Sequence, residues 1–375
     1  TMSRGIHLSG LARRGLRSTL SGHRGLLPTA VARESVKMTG EDFHHDIDVG
    51  SLFCIQANKC FLMEGKICSN FQHNGRIRSV TQELSHIFGG DGTFFTVRNT
   101  PIEKDEDKLY LRVLEHARAL HALPDASKAE LSPSTVAEPL DFYLPGYRGV
   151  GMDCAHAAGG FGGVAHNEAF DVMLDASDNK WPERDHAPEG FREDVQLMHQ
   201  SMEHVAQGLL RSIARTLGLQ DALFEGLRGA TPSSRLRLQR IKPEGSLPPR
   251  AKSGEYGIGP HVDCGLLTLV CQSGDQGLQV EDGAGGWHQV DCGPNRIIVL
   301  PGALLELITC GAIKGARHRV MPRSGGDAHE VVSAELSVMV GMEDNVEPNV
   351  DMEDGSGEYG PTTQRALIEK HYVDC

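Results

Sequence analysis

The sequence predicts a mainly β fold with flanking helices, a jelly-roll barrel buttressed by a long helix. Two observations carry that expectation. After Pro232 the chain becomes a series of short apolar segments, Leu236–Ile241, Leu266–Gln272, Leu278–Val280, Ile297–Leu300 and Val331–Val340, separated by Gly, Pro and Asp turns. Many short strands with turn signals between them fit a sandwich or a jelly roll. Ahead of them, Phe191, Val195, Met198, Met202, Val205, Leu209, Ile213 and Leu217 recur every three or four residues. That stripe predicts one long amphipathic helix packed on the outside of the barrel and stopped by Gly218.

The other elements follow in chain order. Residues 1–36 set Arg4, Arg13, Arg14, Arg17, Arg24 and Arg33 among Leu, Ser and Gly, with no acid before Glu34. This is the pattern of an organellar leader, so the mitochondrion is the expected location; a basic extension on a cytoplasmic protein is the alternative. Residues 37–230 mix strands and helices. Asp46-Ile47-Asp48 and Gly92–Val97 read as strands, Ser79–Phe88 and Asp107–Leu120 as helices. Gly149–Gly163 is a Gly- and Ala-rich loop, either over a pocket or plain surface, with no phosphate-binding spacing. Residues 231–345 are the β core. Residues 346–375 are a tail ending in a helix over Thr362–His371.

Composition narrows the function. A net charge of -13 and a pI near 5.7 disfavour a phosphate-backbone footprint, so no nucleic-acid partner is expected. No apolar run approaches a membrane span, so no membrane partner is expected either. Nine Cys without a Cys-x-x-Cys pair read as reduced thiols of an intracellular protein. A small-molecule substrate is the remaining class, and the oligomeric state is left open.

One stretch carries chemistry. Gly259-Pro260-His261-Val262-Asp263 leads into the apolar run Leu266–Val270. Alternate residues of a strand point to one face, so His261 and Asp263 can reach one ion. His44-x-Asp46 and His166-x-Glu168 share the spacing. Only His261 follows a Gly-Pro turn and precedes a strand-like run, with His318-Arg319-Val320 in a later β-rich segment to supply a third donor. Two imidazoles and one carboxylate on one face of an octahedron leave open positions, the arrangement of non-haem Fe(II) oxygenases.

With these residues in place, the chain resembles the isopenicillin N synthase-like family of Fe(II)/2-oxoglutarate-dependent dioxygenases. The likeness extends to Asp46-Ile47-Asp48, Gly92-Thr93-Phe94-Phe95, Glu168-Ala169-Phe170-Asp171, Trp181-Pro182 and Leu236-Arg237-Leu238, in that order. It implies a double-stranded β-helix and an oxidoreductase that hydroxylates or desaturates a small organic molecule. Fe(II) would be held by His261, Asp263 and His318, with 2-oxoglutarate and O2 as cosubstrates.

The resemblance breaks at one place. The family holds the far carboxylate of 2-oxoglutarate with an Arg-x-Ser pair, because guanidinium and carboxylate bond bidentately. Here Ser333 fits and Val331 stands where the Arg belongs. Either another cation (Arg319, Arg296 or Arg240) takes the carboxylate, or the protein is an Fe(II) oxidase of the same fold drawing electrons from substrate or ascorbate. A degenerate binding protein is the third reading. Gln239 sits where the family places a polar residue near the keto acid. Arg319, next to His318, alternates to the opposite strand face, which favours a structural ion pair. Val331, Ser333, Glu335 and Ser337 share one face, so Glu335 is expected at the substrate pocket with Tyr256 and Leu238. A buried Glu335 needs a structural Arg or a cationic substrate. Trp287 is expected in the core.

Overall fold

Val332, Ala334, Leu336 and Val338 alternate along the chain with Val331, Ser333, Glu335 and Ser337, and the two sets meet different surroundings. The first set is sealed against helices; the second lines a cleft. The rest of the fold is built on that division. The computed structural model describes residues 45–52, 72–90, 92–102, 108–133, 143–150, 167–174, 176–183, 187–228, 234–243, 257–273, 277–290, 296–321, 330–349 and 358–373. All of them belong to the unit Lys37–Cys375. The basic segment 1–36, most of Gly149–Gly163, and Tyr256 lie outside the described residues.

In chain order the elements are β1 (Asp46–Asp48), α1 (Gln72–Gly89), β2 (Phe95–Arg98), α2 (Leu109–His121), α3 (Asp125–Glu130), β3 (Gly146–Arg148), β4 (Asn167–Met173), α4 (Phe191–Thr216), α5 (Leu223–Arg228) and β5 (Arg235–Ile241). The second half adds β6 (Ile258–His261), β7 (Leu267–Gln272), β8 (Leu278–Glu281), β9 (Trp287–Gln289), β10 (Ile297–Pro301), α6 (Ala303–Ile308), β11 (His318–Val320), β12 (Val331–Val338), β13 (Asn345–Val346), β14 (Thr362–Thr363) and α7 (Gln364–Val373). A large sheet runs β1-β2-β10-β7-β12-β5-β4-β3, and a smaller one runs β6-β11-β8-β9. Strands β7, β12 and β5 pair antiparallel at the centre of the large sheet, and the small sheet faces it to close the barrel.

The long helix forms as its stripe predicts. Met198, Met202, Val205 and Leu209 are fully buried on one side of α4. Glu193 and Asp194 sit in its first turn, where acid opposes the helix dipole. Gly218 ends it at φ +72, with Gly218 N–H donating to Arg215 O and Leu219 N–H to Ala214 O. That is the paired C-terminal closure a left-handed glycine permits. With α1 and α2, α4 covers the outer face of the large sheet, including Val97, Leu236, Leu269 and Leu336. A second apolar cluster lies between the sheets, with Ile241, Ile258, Val270, Leu278, Val320 and Val331.

Three expectations change. Asp263 is not on the strand, because β6 ends at His261 and Asp263 lies in the connection to β7. Leu238 packs on the helix side of the large sheet. Trp287 is half-buried on the small sheet, with the guanidinium groups of Arg317 and Arg319 over its ring. No described helix is long and apolar enough to cross a membrane.

Candidate metal centre

Strand pairing brings the donors together. His318, the first residue of β11, pairs with His261, the last of β6, and their rings lie 4.3 Å apart between centroids. Asp263 comes from the loop just beyond. Its Oδ1 is 3.5 Å from His261 Nε2 and its Oδ2 3.8 Å from His318 Nε2. One donor atom from each residue falls within 4.8 Å of the others, a spread that one cation can bridge.

The rings are set for metal. His261 Nδ1 lies 2.8 Å from Gly259 O and His318 Nδ1 2.9 Å from Ala316 O. A carbonyl only accepts, so each Nδ1 carries the proton and donates it. Each Nε2 is left facing Asp263. Thr268 Oγ1 donates to Asp263 Oδ2 at 2.5 Å. Burial works against the charged carboxyl of Asp263, yet the field of His318 and the bond to His261 hold it far below the usual carboxylate range. A cation bound here would take the place of protons on Nε2, and the donor set it meets is two imidazoles and one carboxylate, which fits a divalent first-row metal. Cys264, next in sequence, is outside this group of donors, and burial and the charge of Asp263 push its thiol up to about 12.

The loop that carries Asp263 is pinned by the start of α6. Ala303 N–H donates to Asp263 O at 2.7 Å, and Leu304 N–H to Gly265 O at 3.1 Å. Gly302 makes this approach possible. A Cβ there would lie 2.2 Å from Gly265 O and 2.9 Å from Asp263 O.

The three donors open onto a cleft of about 990 Å³, its open mouth included, between the two sheets. Ser333, Glu335, Ser337 and Gln239 line it, as strand alternation predicts. Ser333 Oγ donates to Glu335 Oε1 at 2.6 Å, and Gln239 Nε2 donates to the same oxygen at 2.9 Å. Burial pushes the Glu335 carboxyl above its usual range, with the Ser333 bond and the charge of Arg237 opposing. Glu335 thus takes neutral donors from β5 and β12, and a cationic substrate is not needed to account for it. Around Val331 the wall is aliphatic: Ile241, Ile258, Leu278 and Val320.

None of the three cations considered as a replacement for the missing Arg lines this cleft. Arg319 points to the other face of β11, where Nε donates to Gln279 Oε1 at 2.8 Å and the guanidinium stacks on Trp287. Its assignment to the cosubstrate is corrected; the strand's alternation turns it away from His318. Arg240 bonds Glu168 Oε2 at 2.6 Å on the far side of β5, in a buried group with His121, Lys128 and Lys242. Arg296 reaches Asp46 Oδ1 at 3.2 Å.

The cations that do line the cleft are Arg235 and Arg237, 6% and 7% exposed. Sequence reasoning missed them, although Arg-Leu-Arg-Leu-Gln-Arg-Ile alternates openly. Arg237 Nε and Nη2 donate to Asp171 Oδ1 and Oδ2 at 2.8 and 2.9 Å. Arg148 Nη1 bonds Asp171 Oδ2, and Arg235 Nη1 is 3.5 Å from that oxygen. Burial opposes ionisation of Asp171, but the charges of Arg235, Arg237 and Arg148 keep its carboxyl below the usual range.

Comparison with known proteins places this geometry. The profile of the 2OG-Fe(II) oxygenase superfamily matches residues 233–334. A 2-oxoglutarate-dependent dioxygenase of Gibberella zeae is 33% identical over 149 residues, 40% of this chain and 39% of the relative. The 2'-deoxymugineic-acid 2'-dioxygenase of Hordeum vulgare is 33% identical over 152 residues, 40% of this chain and 42% of the relative. The chain thus spans less than half the length of these curated relatives. Among solved structures, full-length Neurospora crassa T7H in complex with alpha-KG and thymine superposes with a TM-score of 0.70 at 18% identity, covering 91% of this chain and 99% of that one. This likeness concerns the fold: a jelly roll with flanking helices.

Proposed function

Because residues 233–334 belong to the 2OG-Fe(II) oxygenase superfamily, we propose that this protein is a non-haem Fe(II), 2-oxoglutarate-dependent oxygenase that oxidises a small organic molecule. The observation that carries the reading is the convergence of His261, Asp263 and His318 within 4.8 Å at the wall of a cleft. When bound, iron with 2-oxoglutarate and O2 supplies the oxidising power, which no side chain here could. The protein's own residues do the rest. The Nδ1 bonds to Gly259 O and Ala316 O aim both imidazoles. Thr268 fixes one carboxylate oxygen of Asp263, and Gly302 lets α6 hold the loop. Ser333 and Gln239 line the same cleft, where each donates to Glu335 Oε1. Curated relatives bear names such as clavatol oxidase, of Penicillium crustosum, which supports a small-molecule substrate.

Anaerobic Fe(II) titration with and without 2-oxoglutarate tests the reading. A metal-to-ligand charge-transfer band requiring both components is expected, and it should vanish in His261→Ala and Asp263→Ala while the fold persists by circular dichroism. A band that needs a substrate in place of 2-oxoglutarate would instead indicate an oxidase. We propose in addition that residues 1–36 act as a mitochondrial leader; a fluorescent fusion that stays cytoplasmic would reject it.

A further inference from the structure

We propose that Gln364, on the C-terminal helix, is a positioning residue for the iron site: it holds Cys264 O and so fixes the loop that presents Asp263. The inference rests on the function proposed above and deepens it, by making the last helix part of the metal centre. Asp263 lies beyond the end of β6, so strand pairing does not set its backbone. Metal–ligand distances tolerate only about 0.2 Å, and a carboxylate carried on a loop therefore needs other restraints.

Four successive carbonyls of this loop each receive a donor. Ala303 N–H donates to Asp263 O at 2.7 Å, Leu304 N–H to Gly265 O at 3.1 Å and Gly302 N–H to Leu266 O at 3.0 Å. These three donors are backbone groups at the start of α6. The fourth carbonyl, Cys264 O, accepts from Gln364 Nε2 at 2.9 Å, across 100 residues of sequence. It is the one bond of the four that a side chain makes, so it is the one that residue identity controls.

Local structure delivers this side chain to the loop. Thr362 and Thr363 of β14 pair with Val346 and Asn345, which sets Gln364 as the first residue of α7. Thr363 Oγ1 accepts from Ala366 N–H at 3.0 Å and caps the helix start. Arg365 N–H donates to Met342 O at 3.0 Å. Ile368, one turn further on the same face, is fully buried. Cys264 Sγ donates to Leu367 O at 3.9 Å, so α7 meets Cys264 at its thiol as well as its carbonyl. Gln364 itself is 0% exposed, and its Oε1 is buried without a hydrogen-bond partner among the described residues. A carbonyl only accepts, so the amide presents its nitrogen to Cys264 O and leaves its oxygen unsatisfied. An unsatisfied buried oxygen costs stability, which an apolar side chain of the same size would avoid. The amide is thus placed for its single donation, at a cost that packing alone does not explain.

Gln364→Met tests this. It keeps the volume and removes the donor together with the unsatisfied oxygen, so the metal-free protein should melt within about 4 °C of wild type. Anaerobic Fe(II) titration without 2-oxoglutarate should show affinity lowered about tenfold or more, the usual effect of losing a group that orients a ligand. Hydrogen exchange of the metal-free protein gives a readout independent of iron. The amides of Ala303 and Leu304, which donate into the loop, should exchange faster in the variant, and those of α4 should not. Gln364→Asn keeps an amide but shortens its reach by one methylene; it should change affinity and exchange in the same direction, and serves if Gln364→Met does not fold. Leu209→Ala, a buried change far from the loop in sequence, should lose stability and keep its Fe(II) affinity. Fe(II) affinity within about twofold of wild type in Gln364→Met overturns the proposal. So does an equal loss of affinity in Leu209→Ala, which would make the effect one of global stability. If wild type takes up no Fe(II), the proposed function fails, while exchange at Ala303 and Leu304 still decides whether Gln364 holds the loop: unchanged exchange at both overturns it.

Discussion

Replacing Asp171 by Asn removes one charge and almost no volume from the most enclosed ionic group of the barrel. Asp171 is 0% exposed and accepts from Arg148 Nη1, Arg237 Nε and Arg237 Nη2, with Arg235 alongside. At about 3 Å and an effective dielectric near 20, each contact is worth about 5 kcal/mol of gross attraction. Desolvation offsets most of that for an intact group, but not for one that has lost its anion. Breaking a buried pair in this way costs about 3–5 kcal/mol, because the guanidinium charges stay behind. The urea midpoint of Asp171→Asn should fall accordingly with little change in slope. The pH dependence checks the cause. The folded carboxyl lies below its ordinary value, so its stabilisation is complete above about pH 4, the unfolded range, and is lost as pH falls through the folded value. Wild type should therefore lose stability as pH falls below about 4, and the variant should lose less over the same fall. A double-mutant cycle with Arg148→Met should show coupling above about 1 kcal/mol. A cost below about 1 kcal/mol for Asp171→Asn at neutral pH would refute the reasoning, since it would mean the arginines find equal partners without the carboxylate.

Three further outcomes follow from the geometry. Gly302→Ala puts a Cβ 2.2 Å from Gly265 O, so the loop bearing Asp263 must shift. A loss of about 1–3 kcal/mol with a drop in Fe(II) affinity is expected in paired denaturation and metal titrations. Leu209→Ala, at a fully buried site of α4, should cost about 2–5 kcal/mol in urea denaturation and leave Fe(II) binding unchanged. Metal binding needs imidazoles that have lost the proton on Nε2, so Fe(II) affinity measured by titration at stepped pH should fall on acidification, by up to about a hundredfold per pH unit if both must lose a proton.

Much of this site could be read before any coordinates. His261 and His318 announce themselves by turn and strand context, and α4 by its stripe. The face shared by Ser333, Glu335 and Ser337 follows from parity alone. Strand parity sets Asp263 beside His261, yet the structure brings the two together by another route, because parity does not reach a residue in the loop. Arg319 shows the opposite case, where parity was right and the cosubstrate role attached to it was not. Arg235 and Arg237 were hidden for a different reason. All seven residues of β5 are buried, so the alternation shows two faces without saying which meets the cleft. The partners that decide it, Asp171 and β12, are distant in sequence. Gly302 is a packing requirement set by Gly265, and no local pattern marks such a meeting.

The two apolar layers on either side of the large sheet have a consequence for how this chain can change. The thicker layer lies behind the sheet, where α1, α2 and α4 press on Leu236, Leu269 and Leu336. Side chains that look the other way, such as Ser333 and Ser337, line the cleft and carry less of that packing. Chemistry on that inner surface is therefore free to drift, and an aliphatic residue can replace a cation there while the architecture behind it stands.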